Sequence, residues 1–147
     1  ETVASLVVFE RGIPKKADYR QFKIKTVAGI DDFASMAEVV GRRYRRLLAE
    51  QKRLPDLILI DGGKGQLAAA QQALQAVMRH AGARTAMEMA ALAKREEELF
   101  LPERTEPVRL PSDSPALHLV QHVRDEAHRF AVTFHRLRRG KRFLALT

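Results

Sequence analysis

The residue best placed for chemistry is an acid at the end of a wholly apolar run. Asp61 follows Leu57-Ile58-Leu59-Ile60 and precedes Gly62-Gly63-Lys64-Gly65. Such a run is typical of a strand buried on both faces, and open α/β sheets bind their ligands at the carboxyl ends of such strands. A carboxylate there can bind a divalent cation. The same position also suits a cap for the next helix, and position alone leaves both roles open.

The glycine-rich turn after Asp61 does not match a nucleotide-binding loop. A Walker A loop has four residues between its first glycine and Gly-Lys, and Ser or Thr follows the lysine. Here Gly65 and Gln66 follow Lys64, which makes nucleotide hydrolysis a disfavoured third hypothesis. Lys64, at a helix start, is a candidate for contacting a DNA phosphate, with an ordinary exposed lysine as the alternative.

Four of the five histidines lie in the last predicted helix. In its segment Arg124-Asp125-Glu126-Ala127-His128-Arg129, Arg124 and His128 are one turn apart. His128 is expected at the edge of the core-facing stripe, where it can act as an acid, a base or a metal ligand. A structural histidine is the alternative. No histidine pair has the spacing of a His-Glu-x-x-His zinc site, so a zinc enzyme is disfavoured.

Two more acids, Asp31 and Asp32, stand at the start of a predicted helix. An acid at this position satisfies free N–H groups and interacts favourably with the helix dipole, so capping is the favoured interpretation. Paired with Asp61, however, one of the two can join a cation-binding cluster of the kind that assists phosphodiester hydrolysis.

The elements that must position these residues follow from apolar periodicity. The opening segments alternate as strands of a hairpin, and an apolar stripe from Phe33 to Leu48 indicates a helix whose other side carries arginines. Residues 85–93 are ambiguous between a helix and a crossover strand. The expected strands cover 3–10, 19–27, 57–60, 99–101 and 108–110, and the expected helices 31–48, 66–80 and 115–139. We therefore predict one α/β domain over 1–147, a mixed sheet flanked by helices.

Composition points to a polyanionic partner. The chain of 147 residues has 26 Lys and Arg against 18 Asp and Glu, a formal charge of +8, and the C-terminal helix is a basic stripe that includes Arg124, Arg129 and Arg136. Nucleic-acid binding and a merely solvated helix face both remain open. The chain has no cysteine, which excludes disulfides and thiolate metal sites and is compatible with a cytoplasmic location. No apolar run is long enough to span a bilayer.

Together, several blocks of the sequence resemble the UvrC family. The most specific are Leu59-Ile60-Asp61-Gly62-Gly63-Lys64-Gly65-Gln66-Leu67 and Arg124-Asp125-Glu126-Ala127-His128-Arg129, supported by Val3 to Phe9, Asp31-Asp32-Phe33 and Asp113 to Leu117. The resemblance implies an RNase H-like endonuclease domain of the bacterial nucleotide-excision-repair nuclease. This domain makes the incision on the 5′ side of a lesion in double-stranded DNA, and another domain makes the 3′ incision. The partners would be UvrB, with UvrA upstream.

The resemblance also assigns roles to individual residues. Asp61 and His128 match two of the family's catalytic residues, and both are expected to hold Mg²⁺ or Mn²⁺. Asp32 matches a further acid of catalytic importance. The expected contacts to the DNA backbone are Lys64, Arg124, Arg129 and Arg136.

The sequence departs from the family pattern at its beginning. Family members carry an Asp-Ile-Ser-His segment, which includes the first catalytic acid, just before the Val-Ala-Ser strand, and this sequence starts after that segment. We therefore expect a domain incomplete at its N-terminus, inactive alone, with an unpaired edge on the opening hairpin. The alternative to an endonuclease is a non-catalytic DNA-binding or scaffold module.

Overall fold

The chain forms a mixed sheet with helices on both faces. The computed structural model describes residues 2–25, 31–83, 87–93, 98–133 and 139–146. In chain order the elements are β1 (Thr2–Glu10), β2 (Ile13–Pro14), β3 (Arg20–Lys23), α1 (Asp32–Ala49), β4 (Leu57–Asp61), α2 (Lys64–His80), β5 (Glu88–Leu92), β6 (Glu98–Phe100), β7 (Val108–Arg109), α3 (Pro115–Thr133) and β8 (Arg139–Leu146). A short 3-10 turn over Lys16–Asp18 precedes β3.

The described strands belong to one sheet, in the order β2-β1-β8-β4-β5-β6-β7, and β3 also pairs with β1. β4 and β5 are parallel and place Asp61 beside Leu92. β5, β6 and β7 then continue as antiparallel neighbours. This mixed α/β sheet flanked by helices confirms the predicted fold class and is consistent with an RNase H-like fold.

Side-chain alternation along the strands divides the core into two layers. Along β4, Ile58 and Ile60 contribute to the layer that contains α1 and α2. Leu59 points to the opposite face, where it joins the layer formed with α3. Because successive strand residues point to opposite faces, Asp61 shares the α3 face with Leu59. The strand period therefore directs this acid toward the helix that carries His128.

The sequence predicted most elements correctly. The ambiguous segment contains the crossover strand β5, and both expected hairpins form, as β1 with β3 and as β6 with β7. None of the described helices is both long and apolar enough to cross a membrane.

The strand β8 was not predicted, and the expected helix included its first residue, Arg139. α3 is described over Pro115–Thr133, and residues 134–138 of the expected helix lie outside the described residues. β8 lies between β1 and β4, parallel to β1 and antiparallel to β4. The unpaired edge expected on the opening hairpin is therefore absent from the described sheet. A segment that hydrogen-bonds to two strands can be extended even when its residues tolerate a helix.

Phe33 does not belong to the buried stripe of α1. Its side chain is 53% exposed, whereas Met36, Val40 and Tyr44 are fully buried. Phe33 lies in the first turn of the helix, where its ring contacts Gly65 at the start of α2 instead of the sheet. The contact brings the N-termini of α1 and α2 together.

Candidate active site

A cavity of about 900 Å³ is lined by the carboxyl ends of β4 and β5 and by α3. Its lining residues are Asp61, Gly62, Gly63, Gln66, Leu92, Ala93, Glu98, Phe100, Arg124, Asp125 and His128. Acidic, basic and imidazole side chains therefore line one space above the sheet.

Helix packing explains why Asp61 and His128 line the same cavity. Val123 and Ala127 of α3 are buried against the sheet in the same core layer as Leu59. Arg124 and His128 each follow one of these anchors, so both lie beside the buried stripe and line the cavity. The position predicted for His128, at the edge of the core-facing stripe, is confirmed.

The turn after Asp61 is held by backbone geometry. The Gly63 N–H donates to Gln66 Oε1 over 3.0 Å, and Gly63 occupies the N-cap position of α2. A Cβ on Gly62 would lie 3.1 Å from the Gln66 side chain, so glycine lets the turn close over it. Asp61 is the last residue of β4 rather than the helix cap. This placement favours the ligand-facing role of Asp61 over the capping role.

Comparison with known proteins bears on this site directly. Residues 1–132 match the family model described as the UvrC RNase H endonuclease domain. The chain is 56% identical over 143 residues to UvrABC system protein C of Acidobacterium capsulatum, covering 97% of this chain and 21% of that protein. It is also 56% identical over 140 residues to the Koribacter versatilis protein of the same name, covering 95% of this chain and 22% of that protein. The chain belongs to the UvrC RNase H endonuclease domain family.

The family assignment confirms the resemblance inferred from the sequence blocks. The chain spans about a fifth of the length of these two relatives. The two most specific blocks supply Asp61, Gly62, Gly63 and Gln66 on one side of the cavity and Arg124, Asp125 and His128 on the other.

Asp31 and Asp32 have different places in the structure. The Asp31 side chain accepts a hydrogen bond of 3.0 Å from the Ala34 N–H, so Asp31 is the N-cap of α1. Asp32 is the first residue of the helix and does not line the cavity. The ring of its neighbour Phe33 contacts Gly65, which follows the turn that borders the cavity. The catalytic role of Asp32 stays a prediction.

Lys64 lies at the rim of the cavity. Its ammonium group donates a hydrogen bond to the Thr105 carbonyl and lies 5.5 Å from the centre of the Phe100 ring. Since Phe100 lines the cavity, the structure places this cation beside the site. Its expected contact with a DNA phosphate would have to compete with these interactions.

Arg129 is directed away from the cavity by an ion pair. Its guanidinium donates two hydrogen bonds to the Glu126 carboxylate, at 2.7 and 2.8 Å. Glu126 also accepts a 2.8 Å hydrogen bond from the Tyr19 hydroxyl. Arg129 and Tyr19 instead line a shallow groove on the surface. Arg136, the fourth cation predicted to contact DNA, lies outside the described residues.

Sequence reasoning missed Glu98. This acid at the start of β6 lines the cavity, and its side chain is 15% exposed and hydrogen-bonded to Arg109 over 2.7 Å. The sequence showed only that Glu98 stands beside a predicted strand. It did not show which strand would pair with that strand or which face of the sheet the side chain would join. Asp125 was part of a recognised block but was not proposed for the site.

The donor atoms in the cavity are compatible with a hard divalent cation. Within the described ranges, no three Asp, Glu or His side chains are close enough together to hold a metal ion. Mg²⁺ retains several waters and is usually held by only one or two protein carboxylates with substrate phosphates. Asp61 can supply one such carboxylate, and His128 lines the same cavity.

Proposed function

We propose that this domain is the metal-dependent endonuclease that cuts DNA on the 5′ side of a lesion during nucleotide excision repair. The observation that carries the proposal is that Asp61 and His128, from separate elements, line one cavity at the strand ends. Membership of the UvrC RNase H endonuclease family supports DNA cleavage as the reaction. Because the relatives are named UvrABC system protein C, we propose UvrB as the direct partner and UvrA as an upstream one.

Three of the cavity residues have a chemical task in this proposal. Mg²⁺ or Mn²⁺ held by Asp61 and His128 would supply charge neutralisation at the phosphate and a more acidic water. Arg124 binds a non-bridging phosphate oxygen and stabilises the charge that develops there. The His128 imidazole can instead orient the attacking water or protonate the leaving oxygen, because it both accepts and donates protons.

We also propose that this polypeptide is inactive on its own. Asp61 and His128 do not form a group of three ligands with any other described acid or histidine, so we propose that a further carboxylate completes the site in the active nuclease.

A DNA substrate and a chain without cysteine also fit a reducing cytoplasm.

The test is incision of an end-labelled duplex with one defined lesion, by the complete protein with UvrA, UvrB and Mg²⁺. Asp61→Asn and His128→Ala are expected to lower the rate of the 5′ incision by about 10²-fold or more. The matched control is Asp56→Asn, an exposed acid at the other end of β4, with normal incision expected. The 3′ incision by the same molecules controls for folding and loading. A full 5′ rate in Asp61→Asn would overturn the proposal.

A non-catalytic DNA-binding or scaffold module is the second candidate. It is favoured by the absence, within the described residues, of any group of three potential metal ligands. It predicts salt-sensitive DNA binding and normal 5′ incision when both Asp61 and His128 are replaced. The incision assay therefore separates the two candidates.

A further inference from the structure

A second cavity lies at the other end of β4 from Asp61. It has a volume of about 670 Å³, it includes Pro55 just before the strand, and it shares no lining residue with the first cavity. Its walls come from the β1–β3 hairpin, α1 and the connection from α1 to β4. At ~3.3 Å per strand residue, the two cavities are separated by about 20 Å along β4. We call this second space the basic cavity.

The basic cavity has a large excess of positive charge. Eight of its lining residues are Lys or Arg, and three are Asp or Glu. All three acids already pair with lining cations: Glu10 lies 3.6 Å from Lys15, Asp18 lies 3.2 Å from Lys15, and Glu50 lies 3.0 Å from Arg46. Glu10 also lies 3.9 Å from Arg53, Glu50 lies 3.7 Å from Lys52, and Arg42 pairs with Glu38, which does not line the cavity. Four acids therefore face eight cations, and positive charge remains in excess.

Two of the remaining cations, Arg20 and Arg43, form no ion pair among the described residues. The Arg20 guanidinium donates to the backbone carbonyls of Ala17 and Tyr19, which leaves its positive charge uncompensated. Burial lowers the pKa of Arg43 from its ordinary value. Concentrated positive charge of this kind attracts anions from solution.

Buried polar atoms at the same place lack partners. Tyr44 is fully buried, and its hydroxyl has no hydrogen-bond partner among the described residues; the same holds for Arg43 Nε. Both residues line the basic cavity. Buried donors are nearly always hydrogen-bonded in folded proteins, so these two donors require oxygen acceptors at this cavity, from water or from a bound group.

We infer that the basic cavity binds the phosphodiester backbone of nucleic acid, at a place separate from the Asp61 cavity. Five of the eight cations are arginines, whose planar guanidinium groups match phosphate oxygens. Phosphates recur along a strand, so a cavity with several cations can neutralise more than one of them. The choice of DNA as the nucleic acid rests on the proposed function. The site anchors the duplex away from the place of incision.

The test measures binding of this chain to a fluorescent duplex without a lesion, in EDTA, over a range of salt concentrations. The variant Arg20→Gln/Arg43→Gln removes two charges without leaving an acid unpaired. The salt dependence is the slope of log K against log[salt], to which each neutralised phosphate contributes about −0.9. Because two charges are removed, we expect this slope to become less steep by about 2. We expect affinity to fall by about tenfold or more. Arg20→Lys/Arg43→Lys, which retains both charges, should keep most of the slope.

The matched control is Arg79→Gln/Arg104→Gln, which removes two exposed charges that line neither cavity. Its slope should be nearly unchanged, and an equal fall in both pairs would overturn the inference. Thermal unfolding reports whether each variant is folded. If the first pair does not fold, Arg46→Gln/Arg53→Gln replaces it, since these side chains are 75% and 70% exposed; an unchanged slope there would also overturn the inference.

Two competition experiments separate the source of the phosphate and the class of partner. Inorganic phosphate at constant ionic strength should displace the duplex only weakly, and strong displacement would mean a free-phosphate site. If polyglutamate binding depends on Arg20 and Arg43 and DNA binding does not, the cavity binds an acidic protein instead. The binding assay contains EDTA and does not report incision. Failure of the basic cavity is thereby distinguishable from failure of the nuclease.

Discussion

The Tyr19 hydroxyl donates a 2.8 Å hydrogen bond to Glu126 Oε2, and this bond joins the end of the β1–β3 connection to α3. The Tyr19 ring also packs edge-on against Phe130, with ring centres 5.0 Å apart. Glu126 in turn accepts two hydrogen bonds from Arg129. An acid inside the block that contains His128 therefore fixes the position of the helix.

Stability should depend on the ionisation of Glu126. The hydrogen bonds from Arg129, supported by that from Tyr19, lower the pKa of Glu126 from 4.5 to about 2. Because the folded-state pKa is lowered, the stabilisation is fully present above about pH 4.5 and is lost as pH falls toward 2. Glu126→Gln should therefore lower the free energy of unfolding by about 1–2 kcal/mol at pH 7. This range is smaller than the pKa change alone implies, because solvent screens the exposed guanidinium of Arg129.

Urea unfolding at several pH values checks this expectation. The difference between Glu126→Gln and the unmodified chain should shrink as pH falls from 4.5 toward 2. Glu103→Gln, at an exposed acid, is the control and should change little. A difference that stays constant with pH would show that the carboxylate charge is not responsible.

The contact between Gly65 and Phe33 should reverse the usual preference for alanine in a helix. A Cβ on Gly65 would overlap the ring of Phe33, so Gly65→Ala must displace that ring and is expected to destabilise by about 1 kcal/mol. In the background of Phe33→Ala the obstacle is gone. The same substitution should then be neutral or stabilise by up to about 1 kcal/mol, as helix propensity predicts. A double-mutant cycle from denaturant unfolding measures the coupling, and additive effects would contradict the contact.

Removing the Tyr44 hydroxyl should stabilise the free chain. The hydroxyl is buried without a partner among the described residues, and leaving such a group unsatisfied costs about 1–3 kcal/mol. Tyr44→Phe keeps the ring, so unfolding without nucleic acid should require about 1 kcal/mol more. Tyr19→Phe, which loses a made hydrogen bond, should have the opposite sign. A destabilised Tyr44→Phe would show that the hydroxyl is hydrogen-bonded in solution.

The adjacent acids Asp31 and Asp32 should separate into a stability role and a catalytic role. Asp31→Ala removes the N-cap bond to Ala34 and is expected to cost about 1 kcal/mol. Asp32→Asn should lower the 5′ incision, as the family resemblance predicts, in a domain that still folds. Thermal unfolding and the lesion-duplex assay measure the two effects independently. Normal incision by Asp32→Asn would restrict the site to the residues that line the first cavity.

The sequence by itself determined the local elements and the position of the central acid. The Leu57–Ile60 run, the following glycines and the stripe from Met36 to Leu47 each reflect the local periodicity of a strand or helix, so they can be predicted from neighbouring residues alone. Asp31 as a cap and Asp61 at a strand end follow from the same local rules. The two specific blocks also indicated the family, which the comparisons confirm.

Only the tertiary structure decided which residues share a space. Asp61, Glu98 and His128 line one cavity because β4 and β6 join the same sheet and α3 crosses its face, and such pairings depend on residues far apart in the chain. The same reason explains β8, which is extended because β1 and β4 bind its backbone. The basic cavity likewise needed the hairpin to pack beside α1, since Arg20 and Arg43 meet only in the folded chain.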